Sequence, residues 1–237
     1  MTQSLRTRYN DLLVYVEEGR RQQVHDLLDW LEHSSDFFTA PASSRVRYHM
    51  CQDGGLALHC LNVVQILFQL IDLHFGPQKL SGLTRGSEPT PSMDFARLKS
   101  SAVIVAIAHD LNKVKFWGQA CYVPNMLKTG RSEAEPYKKT KRVQTGGYDQ
   151  LLITSRFVSL KPDEAQAIRY AEGKYDYSYR EIEGSEEALT ILLHHADMQA
   201  AFITEAVEPW TREHIGADAY FVKRVDIALQ APVADGF

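Results

Sequence analysis

Three short stretches place side chains that could bind a metal in otherwise apolar sequence. They are His59 within GGLALHCLNVV, the doublet His109-Asp110 closing SAVIVAIAHD, and Asp197 within LLHHADMQAAF. A single histidine on an apolar face is ordinarily a packed core or boundary residue, but a carboxylate in such a face is costly to bury without a partner. Together, two imidazoles and two carboxylates make a mixed nitrogen and oxygen donor set. It suits a divalent transition metal or a borderline hard cation, with positions left for water and substrate. Such a cation lowers the pKa of a water it binds and polarises a phosphoryl oxygen, which is the equipment of a hydrolase. Lys113 follows Asp110 by three residues. On a continuing helix its ammonium rises from the same face, placed to neutralise a substrate phosphate; the alternative is an exposed lysine favourable to the helix dipole. His194 stands one helical turn before Asp197, within reach of a ligand as a hydrogen-bond partner, whereas His195 reads as packing or surface.

The elements that must position these groups read as helices. Apolar residues at three- and four-residue steps predict one or two helices over residues 9–33 and a long one from Gly54 to about Phe75. Between them, HSSDFFTAPASSR breaks the period with Pro41 and several serines and reads as a loop. Residues 76–93, rich in Gly, Pro, Ser and Thr, predict a solvent-exposed connection, with a helix resuming near Asp94. SAVIVAIAH suits a buried strand as well as a buried helix, and periodicity alone does not separate the two. Further helices are predicted over about 148–160, over 162–172 opened by Pro162, Asp163 and Glu164, and over about 185–207. No internal repeat is present, which removes solenoids and propellers.

Residues 118–147 mix aromatic and basic residues with Gly, Pro and Asn and predict an inserted loop or small hairpin, with strand-like stretches at Cys121 to Val123 and Tyr137 to Val143. Its run EPYKKTKR offers Lys138, Lys139, Lys141 and Arg142 beside Tyr137. A cationic loop of this kind could close over phosphates while Tyr137, Tyr122 or Trp117 stacks on a base; plain solvated surface is the alternative. Arg45 and Arg47 near His49 could bind phosphate, against the slightly favoured alternative of a solvated loop face, and Tyr175, Tyr177 and Tyr179 could line a pocket mouth.

With 237 residues the chain is expected to form one domain with insertions. Its 26 Lys and Arg against 30 Asp and Glu argue against a constitutive nucleic-acid coat or a polybasic membrane binder. Three irregularly spaced cysteines without a CxxC pair fit a reducing, cytoplasmic setting rather than a disulfide framework. No signal-peptide core is evident, and no segment is expected to span a membrane.

The ordered set His59, His109-Asp110 and Asp197 resembles the HD-domain metal-dependent phosphohydrolases, whose pattern runs H, HD, D across a helical bundle. The approach to the first histidine, APASSRVRYHMCQDGGLALHCLNVV, is similar to the APA, spacer, H, GGLLxHxL segment of phage and prophage HD proteins and of the HD domain in a bacterial 3'-to-5' exoribonuclease; Pro41, His49, Gly54, Gly55 and His59 carry the match. The similarity continues through HDLNK, FVSLKPDEAQAIRY and LLHHADMQAAF. It implies an all-α HD bundle with a core of about 36–206, N-terminal helices over 9–33 and a C-terminal extension over 207–237. It also implies that SAVIVAIAHD is a buried helix.

For function, the resemblance implies a metal held by His59, His109, Asp110 and Asp197, chemistry centred on His109, Asp110 and Lys113, and a substrate met by His49 and Lys113; Arg47, Lys138, Lys139 and Tyr137 are the further substrate contacts that the charge and aromatic pattern suggests. The substrate implied is a nucleotide, foremost a deoxynucleoside triphosphate, dATP among them, or a monophosphate. Lys113 in HDLNK departs from the HDxxE of related 5'-deoxynucleotidases toward HDxxK. Family members with two metals carry further histidines after the doublet, but this chain has none between His109 and His194, with Tyr148 and Ala171 where they would fall. One divalent ion (Mn, Co, Ni, Mg, Zn or Fe) is therefore expected, unless Asp149, Glu172 or Asp176 stands in. The alternatives are a phosphodiesterase or 3'-to-5' exonuclease, disfavoured by the net charge of -4, and a degenerate module that binds a nucleotide or partner without turnover. Oligomeric state is left open.

Overall fold

A computed structural model describes residues 4–76, 95–143, 145 and 147–205. The expected connection at 76–93 and the C-terminal extension at 207–237 lie almost wholly outside the described residues. The described chain is mostly helical, with two small antiparallel ladders.

The N-terminal pattern resolves into α1 (Leu5–Asp11), a 3₁₀ turn (Leu12–Tyr15) and α2 (Glu18–His33). Ser4 caps α1 by accepting from the Thr7 amide at 3.2 Å. On α2, Val24, Leu27, Leu28 and Leu31 form the buried stripe that the three- and four-residue spacing requires. Next come α3 (Gly55–Phe75) and α4 (Phe95–Ala108). Residues 100–108 of α4 are buried on every face, so SAVIVAIA is a helix at the centre of the fold. That environment explains why its sequence shows no helical period: with neighbours all round there is no polar face to mark one.

α3 differs from the expectation in one respect, because it is long and apolar enough to cross a membrane. Two-thirds of its most apolar window is buried inside the protein, with Cys60, Val63, Leu67 and Ile71 in the core, as for a central core helix.

α5 (Tyr148–Ser155) and α6 (Pro162–Arg169) end earlier than the periodicity suggests. After Ser155 the chain turns to bury Val158 and to set Ser159 against α2, where its amide donates to Gln23 and its carbonyl accepts from Arg20. Pro162 opens α6, and the Glu164 carboxylate accepts from the Lys161 amide at 2.8 Å to close its first turn. α7 (Ala188–Gln199) packs across α3 and α6, then widens into a π-helical turn over Ala200–Thr204.

The insertion at 118–147 folds into nested antiparallel ladders. β1 (Tyr122–Pro124) pairs with β4 (Tyr137–Lys139), and β2 (Met126–Leu127) with β3 (Gly130–Arg131) beyond them. It is pinned to the chain before α3 through Asp53, which accepts from the Tyr137 hydroxyl, while Arg131 lies 4.2 Å over the Tyr137 ring. A single apolar cluster extends from Tyr9 to Ala200, so the N-terminal helices share one core with α3, α4 and α7.

Candidate metal centre

Three helices deliver four donor atoms to one point. His59 lies on the second turn of α3, His109 and Asp110 follow the end of α4, and Asp197 lies near the end of α7. His59 Nε2 is 3.0 Å from Asp197 Oδ1, 3.5 Å from Asp110 Oδ2 and 3.3 Å from His109 Nε2. His109 Nε2 is 3.6 Å from Asp110 Oδ2 and 3.8 Å from Asp197 Oδ1. Metal-to-ligand bonds of about 2.0–2.2 Å place neighbouring donors roughly 3.0–3.5 Å apart. His59, His109 and Asp197 could hold a metal ion, and Asp110 adds a fourth donor at the same point.

The chemistry of the donors agrees with their spacing. The Nδ1 of His109 faces the Ala106 carbonyl at 2.8 Å, and the Nδ1 of His59 faces the Glu205 carboxylate at 2.9 Å. Each partner only accepts, so each imidazole carries its proton on Nδ1 and turns a lone pair at Nε2 toward the centre. Two nitrogen lone pairs and two carboxylate oxygens then confront one another in a buried space, an arrangement that a cation relieves. Without a metal, a proton on His59 Nε2 takes the cation's place: burial opposes a charged His59, but Glu205 and Asp197 outweigh it and push the imidazole up to about 10. Burial likewise works against ionised Asp197, and the hydrogen bond and charge of His59 with the charge of His109 hold it well below the usual carboxylate range.

A cleft of about 330 Å³ opens onto this point, with Asp110, Asp197, Lys113, His49, Glu172 and Tyr175 in its wall. Lys113 arrives by a route other than the expected one. α4 stops at Ala108, and a 3₁₀ turn over Leu111–Lys113 eclipses positions three apart, placing Lys113 Nζ 2.6 Å from Asp110 Oδ2. Burial disfavours the ammonium, but Asp110 outweighs it and holds the pKa above the ordinary lysine range.

His49 roofs the cleft, its ring 4.6 Å from that of His59, and burial with the neighbouring His59 lowers it to about 4. A knot of backbone hydrogen bonds sets its position: Ala42 donates to the Met50 carbonyl, Gly54 to Thr39 and Leu56 to Ala40. The paired glycines serve this knot. Gly54 sits at φ 73°, and a Cβ on Gly55 would lie 2.1 Å from the Met50 carbonyl oxygen. Because the obstacle is backbone, Gly55→Ala should cost about 1–3 kcal/mol, read as a lowered urea midpoint, and should disturb His49 with it.

Other expected site residues lie elsewhere. His194 touches none of the four donors; its Nδ1 faces the Ala171 carbonyl at 3.1 Å, and its ring fills the space a Cβ on Gly173 would need. It borders the cleft instead, beside Met198. Tyr137 is buried at the base of the hairpin with its hydroxyl committed to Asp53, so it offers no stacking face. Lys138 and Lys139 are exposed on β4, and the Arg47 guanidinium lies on the Tyr48 ring and hydroxyl; none of the three lines the cleft. Lys138 and Lys139 are consecutive on a short two-stranded ladder with both faces open to solvent at that point, and Arg47 lies on an exposed loop.

Of the three acids that might replace a missing histidine, Asp149 pairs with Thr145 and approaches Arg142, and Asp176 caps a 3₁₀ turn. Glu172 alone of the three reaches the cleft; it stays open to solvent, and partial desolvation against the cleft wall together with the charge of Asp110 raises its carboxyl. The sequence reading did not single out Glu205. It is buried, accepts from Asn62 Nδ2 at 2.8 Å as well as from His59, and signals itself in sequence only as an acid among apolar residues near the end of a helix. No family model, no curated protein and no solved structure matches this chain.

Proposed function

We propose that the chain is an HD-type phosphohydrolase that uses one divalent metal to act on a nucleotide, foremost a deoxynucleoside triphosphate or monophosphate, in the cytoplasm. The observation that carries this reading is the convergence of His59, His109, Asp110 and Asp197 on one point, where Asp110 and Asp197 line a cleft that also holds the half-buried Lys113. Bound there, a divalent cation lowers the pKa of its water and polarises a phosphoryl oxygen. The chain's own groups account for the rest. Lys113 is positioned to offset negative charge that builds on phosphate oxygens in the transition state, in a site sheltered enough for one charge to count. Glu172, on the cleft wall, is the carboxyl within the site that is available to carry a proton for a departing oxygen. Tyr175, exposed at the mouth and lining the cleft, offers a ring face to a base. A cleft of about 330 Å³ is at the small end of ligand sites, which favours a mononucleotide over a long strand.

The test is release of phosphate, pyrophosphate or tripolyphosphate from a panel of deoxy- and ribonucleotides. Mn, Co, Mg, Ni and Zn are each supplied in turn, with a chelator control and an oligonucleotide arm. Turnover of one nucleotide that stops with chelator is the expected result, and the released group identifies the bond cut. Turnover of oligonucleotide alone transfers the reading to an exonuclease. Tight nucleotide binding with no turnover in any metal leaves a binding module in place of an enzyme.

A further inference from the structure

We propose that Glu205 is a positioning residue for the metal centre, brought to His59 by the π-helical turn that ends α7. This rests on the metal-centre reading above, and it concerns a residue outside the four donors. Glu205 follows Asp197 by eight residues, so in an uninterrupted α-helix it would point about 80° away from it round the axis. The chain instead widens over Ala200–Thr204, where the Glu205 amide donates to the carbonyl of Ala200, five residues earlier, at 2.8 Å. The wider turn absorbs one residue, so the eighth position takes up nearly the direction that a seventh would have. Asp197 and Glu205 therefore approach the same imidazole from one helix, Asp197 at Nε2 and Glu205 at Nδ1. Insertions of this kind in α-helices recur at functional sites because they redirect a single side chain without breaking the helix.

The carboxylate is held from two points on α3. His59 and Asn62, three residues apart and so on one face, both meet it, Asn62 Nδ2 at 2.8 Å and His59 Nδ1 at 2.9 and 3.1 Å. It is buried with both oxygens engaged, so it does not turn outward to water or substrate. A carboxylate on the far nitrogen of a metal-binding histidine fixes the ring's tautomer and orientation and makes the ligating nitrogen a better donor. His109 has only a backbone carbonyl in that place, so the two histidine ligands differ, and His59 is the more basic donor.

The test measures Co²⁺ affinity and the visible spectrum of the Co²⁺-loaded full-length chain, with the apo melting temperature followed in parallel. Glu205→Ala is expected to weaken Co²⁺ binding about 10- to 100-fold and to change the Co²⁺ absorption bands. Asn62→Ala, which keeps the carboxylate and removes one anchor, should weaken binding less. A side chain needed only for packing would lower the apo melting temperature while folded molecules bound Co²⁺ with unchanged affinity and spectrum, and that result overturns the proposal. If Glu205→Ala does not fold, Glu205→Gln and Asn62→Ala decide it: unchanged affinity and spectrum in both overturns it, and weakened binding in both sustains it. A wild-type chain that binds no Co²⁺ overturns the metal-centre reading itself, a different failure from a wild type and variant that bind equally.

Discussion

Asp110→Asn is expected to lower nucleotide hydrolysis by about a thousandfold or more, since a metal contributes several kcal/mol of transition-state stabilisation and each 1.36 kcal/mol is tenfold in rate. The Asp110 side chain is buried, one of its oxygens lies 3.5 and 3.6 Å from the two histidine nitrogens, and that same oxygen holds Lys113. The substitution removes a charged donor and leaves the Lys113 ammonium without its counter-charge. Two losses are thus combined, and a second variant separates them. Lys113→Met should leave Co²⁺ binding nearly intact while reducing kcat by about 10²- to 10³-fold, the usual cost of deleting one group that stabilises transition-state charge. The double variant should regain part of the stability that Asp110→Asn loses, because no unpaired, half-buried ammonium is left, and should regain no activity. Steady-state kinetics, Co²⁺ titration and thermal melts on the three proteins check each statement. Wild-type turnover in Asp110→Asn would remove the metal centre from the reaction, and wild-type turnover in Lys113→Met would remove the Lys113 ammonium from it.

The donor set was legible because its chemistry is local. Two imidazoles and two acids in apolar helices need partners, and the periodicity of α3 locates His59 without any tertiary information. α4 was legible only through resemblance, since a helix buried on all faces loses the pattern that identifies it. What escaped depends on geometry finer than 3.6 residues per turn. The spacing puts Lys113 beside Asp110 but not the 3₁₀ turn that brings it there once the helix stops, and Glu205 meets His59 because α7 widens; neither change of helix type is written in residue spacing. His194 has the right spacing for a role beside Asp197, yet its ring is drawn to a backbone carbonyl across Gly173. The basic run at 138–142 misled for a related reason. Composition marks positive charge but not its direction, and only Arg142 of that run turns inward, donating to the Asn112 carbonyl just beyond the doublet.

The scaffold that holds the donors in register should fail first at Glu164. Its carboxylate joins three helices: Arg20 of α2 grips both oxygens at 2.7 Å, Ser101 of α4 donates to one at 2.6 Å, and the Lys161 amide at the head of α6 donates to the other. α4 leads directly into His109-Asp110, and α6 packs against α7, which carries Asp197. Glu164→Gln leaves the buried Arg20 guanidinium with only the more distant Glu17 carboxylate, at 3.7 Å, and should cost about 3 kcal/mol, or roughly 6–12 °C in Tm for a domain of this size. Burial raises the Glu164 carboxyl, but Arg20, the Lys161 amide and Ser101 outweigh it and hold it below the usual glutamate value. A depressed folded-state pKa contributes stability that is fully present above the unfolded value, about 4.3, and is lost as pH falls through the folded value. The gap in urea stability between wild type and Glu164→Gln should therefore be constant from pH 7 to about 5 and narrow below about 4. A pH-independent gap would mean that the loss comes from packing rather than from the ion pair. Replacing both partners, as Arg20→Met with Glu164→Leu, should recover most of the loss, because a buried pair exchanged for apolar groups of similar volume is often neutral or stabilising. At neutral pH the folded Glu164→Gln protein should still bind Co²⁺ like wild type, since the ion pair supports the helices and contacts none of the four donors.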